Sequence, residues 1–249
     1  YSLFMLALAR KELSACSFRL FIGEKPNITS VMDEDLSTTS TKEEFKEALV
    51  DEWGVKYSKD GRKLLGAPEK LSGSYSVKEG TRIICNGAFY FCRSLSKIVI
   101  PSSVTSIGEW AFSNCGSLST IVIPSSVTSI GDRAFSSCTS LKYISIPKSV
   151  IGLNGNPFAD WNGKLQCLSP NFINEDDILF NKDKNKIISF RNQNIESYVI
   201  PSSVTSIGDW AFSGCSSLSK IVIPFCVTSI GNGAFSDCSS LSKIVIPSS

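Results

Sequence analysis

The sequence predicts a solenoid of short β coils, one small unit stacked repeatedly on itself. Three observations predict it. Residues 100–123, IPSSVTSIGEWAFSNCGSLSTIVI, return almost unchanged as residues 200–223, IPSSVTSIGDWAFSGCSSLSKIVI. Phe89, Phe112, Phe135 and Phe158 are spaced by 23 residues, as are Phe212 and Phe235, and Pro101, Pro124 and Pro147 keep the same step. Within each unit the apolar residues first alternate, as a strand requires, and then stop at a glycine. A period in the twenties marks a unit too small to bury its own apolar face, so that each copy leans on the next.

Taken in order, residues 1–22 begin with the apolar patch Leu3 to Ala9, far too short to span a bilayer. Arg10, Lys11 and Glu12 interrupt the apolar region that a lipoprotein cleavage box at residues 13–16 would need. An amphipathic helix packing on the end of the solenoid is expected instead. Asn27-Ile28-Thr29 fits the glycosylation sequon, and Asp33-Glu34-Asp35 reads as a solvated acidic loop. Ser40 with Glu43 and Thr41 with Glu44 form two overlapping capping boxes, after which Phe45, Ala48, Leu49 and Trp53 fall at helical spacing. Residues 1–52 are therefore expected to be a helical capping segment, and residues 53–249 the solenoid.

Residues 55–65 and 178–188 resemble one another, and each reads as two alternating strands around a polar turn, a β-hairpin. The step from Asp60 to Tyr75 equals that from Asp183 to Tyr198, so the hairpin is a variant of the repeat that occurs twice, in irregular units near 54–71 and 164–197. Regular units start at Leu95, Leu118 and Leu141 and resume through Phe212 and Leu218. The chain stops at Ser249 a few residues into another unit, and with Tyr1 at its start the natural protein is expected to continue.

The unit is L-x-x-I-x-I-P-x-x-V-x-x-I-G-x-x-A-F-x-x-C-x-x. Its opening fits a strand with Ile98 and Ile100 pointing inward, and successive coils lay these strands side by side as a parallel sheet. Val104 and Ile107 face the core from the opposite side, Gly108 permits a sharp bend, and Ala111 with Phe112 fills the middle. Cys92, Cys115, Cys138, Cys215 and Cys238 share one register and are expected to form a ladder of reduced core thiols.

This template resembles the leucine-rich repeat. More specifically, I-P-x-S-V-T-S-I-G-x-x-A-F-x-x-C-x-S-L is similar to the BspA-like subfamily of bacterial and protozoan surface proteins, over residues 53–249. The resemblance implies a mainly β solenoid with turns and 23-residue repeats, its parallel sheet on the concave side, capped at the N-terminus by a short helix. It also implies a non-catalytic, adhesin-like module at the cell surface or secreted, binding host or bacterial proteins. At the family's asparagine-ladder position stand Ser103, Ser126, Ser149, Ser203 and Cys226, so a weaker hydroxyl ladder to the turn backbone is expected.

Composition narrows the chemistry. A net charge of +2 makes no case for nucleic acid or a membrane surface. The chain has no histidine, which removes Ser/His/Asp and Cys/His catalysis and the histidine zinc sites together. It has no C-x-x-C pair and no phosphate loop. No catalytic residue, metal site or cofactor is therefore assigned, and the expected partner is a protein. The candidate binding residues on the sheet face are Lys97, Thr120, Tyr143, Lys220 and Lys243, a mild positive stripe for an acidic partner, against a reading in which lysines merely block aggregation. Trp110 and Trp210 occupy a bend position that elsewhere holds glycine, arginine or asparagine; they read as exposed anchors, or as rings packed over the neighbouring coil. Asp132, Arg133 and Glu109 read as solvated charges. An intracellular scaffold using the same face, and the substrate-recognition part of a larger enzyme, are the competing readings.

Overall fold

The computed structural model describes residues 37–192 and 194–245. The helix expected within residues 1–22, the sequon and the acidic run at 33–35 lie outside them. Among the described residues there is a single helix, Lys42–Lys46. Thr41 caps it: its Oγ1 accepts the Glu44 N–H at 3.1 Å, and the Glu44 carboxylate accepts the Thr41 N–H at 2.8 Å. The expected continuation through Ala48 and Leu49 does not occur. Leu49–Val50 is a strand, antiparallel to Lys56–Tyr57, and Asp51 Oδ1 turns the chain between them by accepting the N–H groups of Trp53 and Val55. The β-branched Val50 favours a strand, and one helical turn is too short to resist it. Leu49 and Trp53 are 52% and 54% exposed, so the apolar helical face does not form.

From there the chain coils. Two stretches of the coil form parallel ladders, the first reduced at residues 118–123 to the single Lys97–Thr120 bridge. The expected one follows the L-x-x-I-x-I segment: Ser72–Ser76 pairs with Ser94–Val99, Tyr143–Ile146 with Lys164–Cys167, and Ser197–Val199 with Lys220–Val222 and then Lys243–Val245. A second ladder, not foreseen, runs through the T-S-I segment. Its register takes Ile84 to Ile107, Ile130 and Leu153, one coil at a time. The third side is the bend carrying Ala-Phe and cysteine. Here Phe89, Phe112, Phe135 and Phe158 stack with centroids 5.2, 5.7 and 6.1 Å apart and planes within 10° of parallel. Phe190, Phe212 and Phe235 continue at 4.7 and 5.2 Å. Equivalent residues thus occupy equivalent places on successive coils.

Polar ladders run beside the apolar ones. Ser103, Ser126 and Ser149 donate to the carbonyls of Thr81, Val104 and Val127 at 2.8, 2.6 and 2.6 Å, and Cys226 donates to Ser202 and Val204. Ser169 and Asn171 add a rung, both donating to Val150. The thiols of Cys115, Cys138 and Cys238 donate at 3.1 Å to the Phe carbonyl of the preceding coil. Cys92, Cys115, Cys138 and Cys215 are buried thiols outside any disulfide, and burial pushes Cys92 and Cys138 up to about 12.

The second hairpin is a partition. Ile178–Asn181 pairs antiparallel with Phe172–Glu175, a strand absent from the sequence reading, and with Lys186–Phe190, which rejoins the coils by pairing parallel with Ser206–Ile207. Side chains alternate across it. Leu179 and Ile188 join the apolar cluster of the preceding coils, whereas Ile178, Phe180, Ile187 and Phe190 join that of the following ones. Arg191, 4% exposed, holds the hairpin in place by donating to the Gly163 carbonyl at 3.4 Å and to the Asn174 side chain.

Gly108 is needed for a different reason from the expected bend. Its φ is not positive; a Cβ there would lie 2.5 Å from the Asn86 amide nitrogen. The same position in the next coil, Gly131, would meet the Glu109 backbone, while Gly152 meets nothing within 4 Å. Gly131→Ala is therefore expected to cost about 2 kcal/mol or more, and Gly152→Ala to stay within about 0.5 kcal/mol of the parent, in urea titrations. In the native protein Cys92, Cys115, Cys138 and Cys215 are expected to resist iodoacetamide at pH 8 and to label fully once denaturant unfolds the coils, as peptide mass spectrometry would read.

Candidate binding face

Strand alternation makes the face. In Ser94–Val99, Ile98 is buried while Lys97 and Val99 on either side of it point out, and later coils repeat the arrangement through Lys220–Val222. Two columns result. The first holds Lys97, paired in register with Thr120; then Tyr143, paired with Lys164; then Ser197, Lys220 and Lys243, paired in succession. The second, two residues further along each strand, holds Val99, Val122, Ser145, Gln166, Val199, Val222 and Val245. Val122 is 78% and Val199 63% exposed.

The five residues assigned to this face from sequence all stand in the first column. Lys97 and Thr120 are neighbours, as are Lys220 and Lys243. Tyr143 is joined to Lys164, which the sequence reading passed over because that coil is 21 residues long instead of 23. The Tyr143 hydroxyl donates to Gln166 Oε1, which also accepts from Ser145 at 3.2 Å. Lys220 and Lys243 sit one strand spacing apart, ~4.8 Å along the ladder, with like charges in register. Such a pair is unfavourable in the free protein and is relieved by an anion.

Trp110 and Trp210 are half-buried, which corrects the expectation of exposure. They belong to one stack: the Arg133 guanidinium lies 4.3 Å from the centroid of Trp110 and 3.0 Å from that of Trp210. All three residues have positive φ, 57°, 52° and 55°. Left-handed backbone costs a side-chain-bearing residue roughly 1–2 kcal/mol, and two cation–π contacts of about 0.5–2 kcal/mol each offset much of that. On the far side, Gly233 leaves room for the Trp210 ring. The stack crosses the hairpin. Asn156 Nδ2 donates to the Trp210 carbonyl at 2.8 Å, and Ser213 Oγ to Asp160 at 2.8 Å, contacts 54 and 53 residues apart.

Asp132 is not an ordinary solvated charge either. Its Oδ1 accepts the Asn156 N–H at 2.8 Å, as Asn86 does for Glu109 at 2.9 Å and Asp209 for Asn232 at 2.6 Å. Burial pushes its carboxyl up to about 6, against the opposing pull of that hydrogen bond and of Arg133. The signal for this ladder lay in the 23-residue step from Asn86 to Glu109 and Asp132, whose carbonyl-type oxygen atoms suit a backbone donor. Among the described residues no group of three or more histidine, cysteine, aspartate or glutamate side chains is placed to hold a metal ion, and no helix is long and apolar enough to cross a membrane.

A family profile described as a BspA type leucine-rich repeat region matches in six copies over residues 71–181 and 186–249. None of the curated proteins matches. Among solved structures, the pneumococcal vaccine antigen PcpA is similar at 25% identity and a TM-score of 0.50, over 72% of this chain and 40% of that one. A leucine-rich repeat protein from Eubacterium ventriosum shares the fold at 23% identity and a TM-score of 0.56, over 72% of this chain and 61% of that one. A leucine-rich cell surface protein from Faecalibacterium prausnitzii has 27% identity and a TM-score of 0.49, over 71% and 42%. The chain therefore spans less than two thirds of each of these proteins.

The Asp132 environment makes a signed prediction. Its raised carboxyl favours the protonated form in the folded state, so this contribution to stability is complete below about pH 4, the unfolded value, and is lost as pH rises through about 6. Asp132→Asn keeps the oxygen acceptor and removes the charge. Thermal melts are expected to show a higher Tm than the parent at pH 7, converging below pH 4. A variant Tm lower than the parent's at pH 7 and converging with it below pH 4 would mean that the attraction to Arg133 outweighs burial.

Proposed function

This chain belongs to the BspA type leucine-rich repeat family, and we propose that it is a non-catalytic protein-binding module, adhesin-like, acting at the cell surface or secreted. One observation carries the reading. On a solenoid whose interior is consumed by packing, a column holding Lys97, Lys164, Lys220 and Lys243 runs beside one holding the exposed Val99, Val122 and Val199 along the strand face. An exposed apolar stripe flanked by one sign of charge is a recognition surface more than a solubility device. The likeness to a pneumococcal vaccine antigen supports the surface placement. The tryptophans we assign to the scaffold, through Arg133, and the binding role to Lys97, Thr120, Tyr143, Lys220 and Lys243.

A second reading, an intracellular scaffold presenting the same face, draws on the buried thiols, which sit outside any disulfide as a reducing compartment would keep them.

The test is binding to an immobilised panel of extracellular-matrix and bacterial surface proteins. The triple variant Lys97→Glu/Lys220→Glu/Lys243→Glu is expected to lose about tenfold or more in affinity for an acidic partner. Trp110→Ala/Trp210→Ala is expected to keep that affinity while melting at lower temperature. Equal recovery by the parent and the charge-reversed variant would remove the face from the proposal.

A further inference from the structure

We infer that the partner element seated on this face is an amphipathic α-helix with acidic residues along one flank, lying across the strands over Val99 and Val122. The inference rests on the reading of the sheet face as the binding surface and adds the shape and charge of what it binds.

Three observations support it. The first is spacing. Successive coils are one strand spacing apart, ~4.8 Å. A helix laid along the stacking direction presents one side chain per turn, every ~5.4 Å, so over three coils it drifts from the column by only about 1 Å. An extended segment in the same direction presents same-side residues every ~6.7 Å and drifts by about 4 Å. The second is an anchor site. Between Ser94–Val99 and the following coil the strand pairing on this face is confined to Lys97 and Thr120, whereas Lys220–Val222 and Lys243–Val245 pair at all three positions. Beyond that pair a cavity of about 260 Å³ opens, lined by Ile98, Val99, Ile121 and Val122, wide enough for one aliphatic side chain. The third is charge. Lys97, Lys142 and Lys164 border this part of the face, and its strand segments, residues 94–99, 118–123, 141–146 and 164–167, contain no aspartate or glutamate. A helix with leucines at i, i+4 and i+7 would bury one in the cavity and place glutamates on its flank beside the lysine column.

The test uses three labelled synthetic peptides and the whole chain, read by fluorescence anisotropy. One is a stapled 18-residue helix with leucines at i, i+4, i+7 and i+11 and glutamates on one flank. The second carries the same residues in an alternating, unstapled order favouring an extended strand. The third is the stapled helix with glutamine for glutamate. The acidic helix is expected to bind at least about tenfold more tightly than the other two, and to weaken by about tenfold with Val122→Glu and again with Lys97→Glu. Both side chains are exposed, and circular dichroism with a thermal melt verifies that each variant folds. Binding of the acidic helix is also expected to fall as salt rises from about 0.05 to 0.5 M. Tighter binding of the extended peptide, binding of the acidic helix that neither variant disturbs, or no binding of it at all would each overturn the helical partner. The charge-reversal result on the protein panel is read separately and tells whether the face itself still stands.

Discussion

Each 23-residue coil buries its aliphatic and aromatic side chains only against its neighbours, and the rest of the structure follows from that dependence. The Phe89 to Phe158 stack is its visible form, each ring lying against that of the next coil. Backbone polarity is handled in the same way. Carbonyls at the bends accept from serine, threonine and cysteine side chains of the following coil, as at Ser126, Thr128 and Cys138. A buried unsatisfied carbonyl costs more than a satisfied one stabilises, so these short hydroxyl and thiol donors are structural rather than reactive.

Stacking also explains the absence of free choice in the interior. Valine, isoleucine, glycine, alanine, phenylalanine and cysteine positions are each occupied by contact with the coils on either side, and the glycine at 108 and 131 exists because another backbone passes where a Cβ would stand. What remains variable is the outward half of each strand and the outer bends. On the bends, variation has been used to strengthen the scaffold: Trp110, Arg133 and Trp210 form one stack at the level where the hairpin adds a strand but no bend. On the strands the outward positions hold lysine and valine in register from coil to coil.

The hairpin shows how an irregular unit is tolerated without ending the solenoid. Its strands present apolar residues to both sides, closing one cluster with Leu179 and Ile188 and opening the next with Ile187 and Phe190. Arg191 locks it, its positive charge almost wholly buried and held by Asn174 and a backbone carbonyl; burial lowers its guanidinium to about 10. The strand face continues on both sides of the hairpin, though the valine column is interrupted at Ser145 and Gln166.

By itself the sequence determined most of what repeats at a fixed step, though not the second strand ladder through the T-S-I segment. The 23-residue period records contacts between a residue and its counterpart one coil away, so the buried phenylalanines, the serine and thiol ladders, the hairpins and the Lys97 and Lys220 column were all legible. Tertiary structure alone decided what breaks the period. The Asn156 to Trp210 and Asp160 to Ser213 contacts span the hairpin, and no spacing rule announces them. Arg133 between two tryptophans, the partial burial of Asp132, and the loss of the helix beyond Lys46 depend on which surfaces meet after folding. Periodicity reports neighbours that repeat; an interaction made once, between coils separated by an insertion, leaves no periodic trace in the chain.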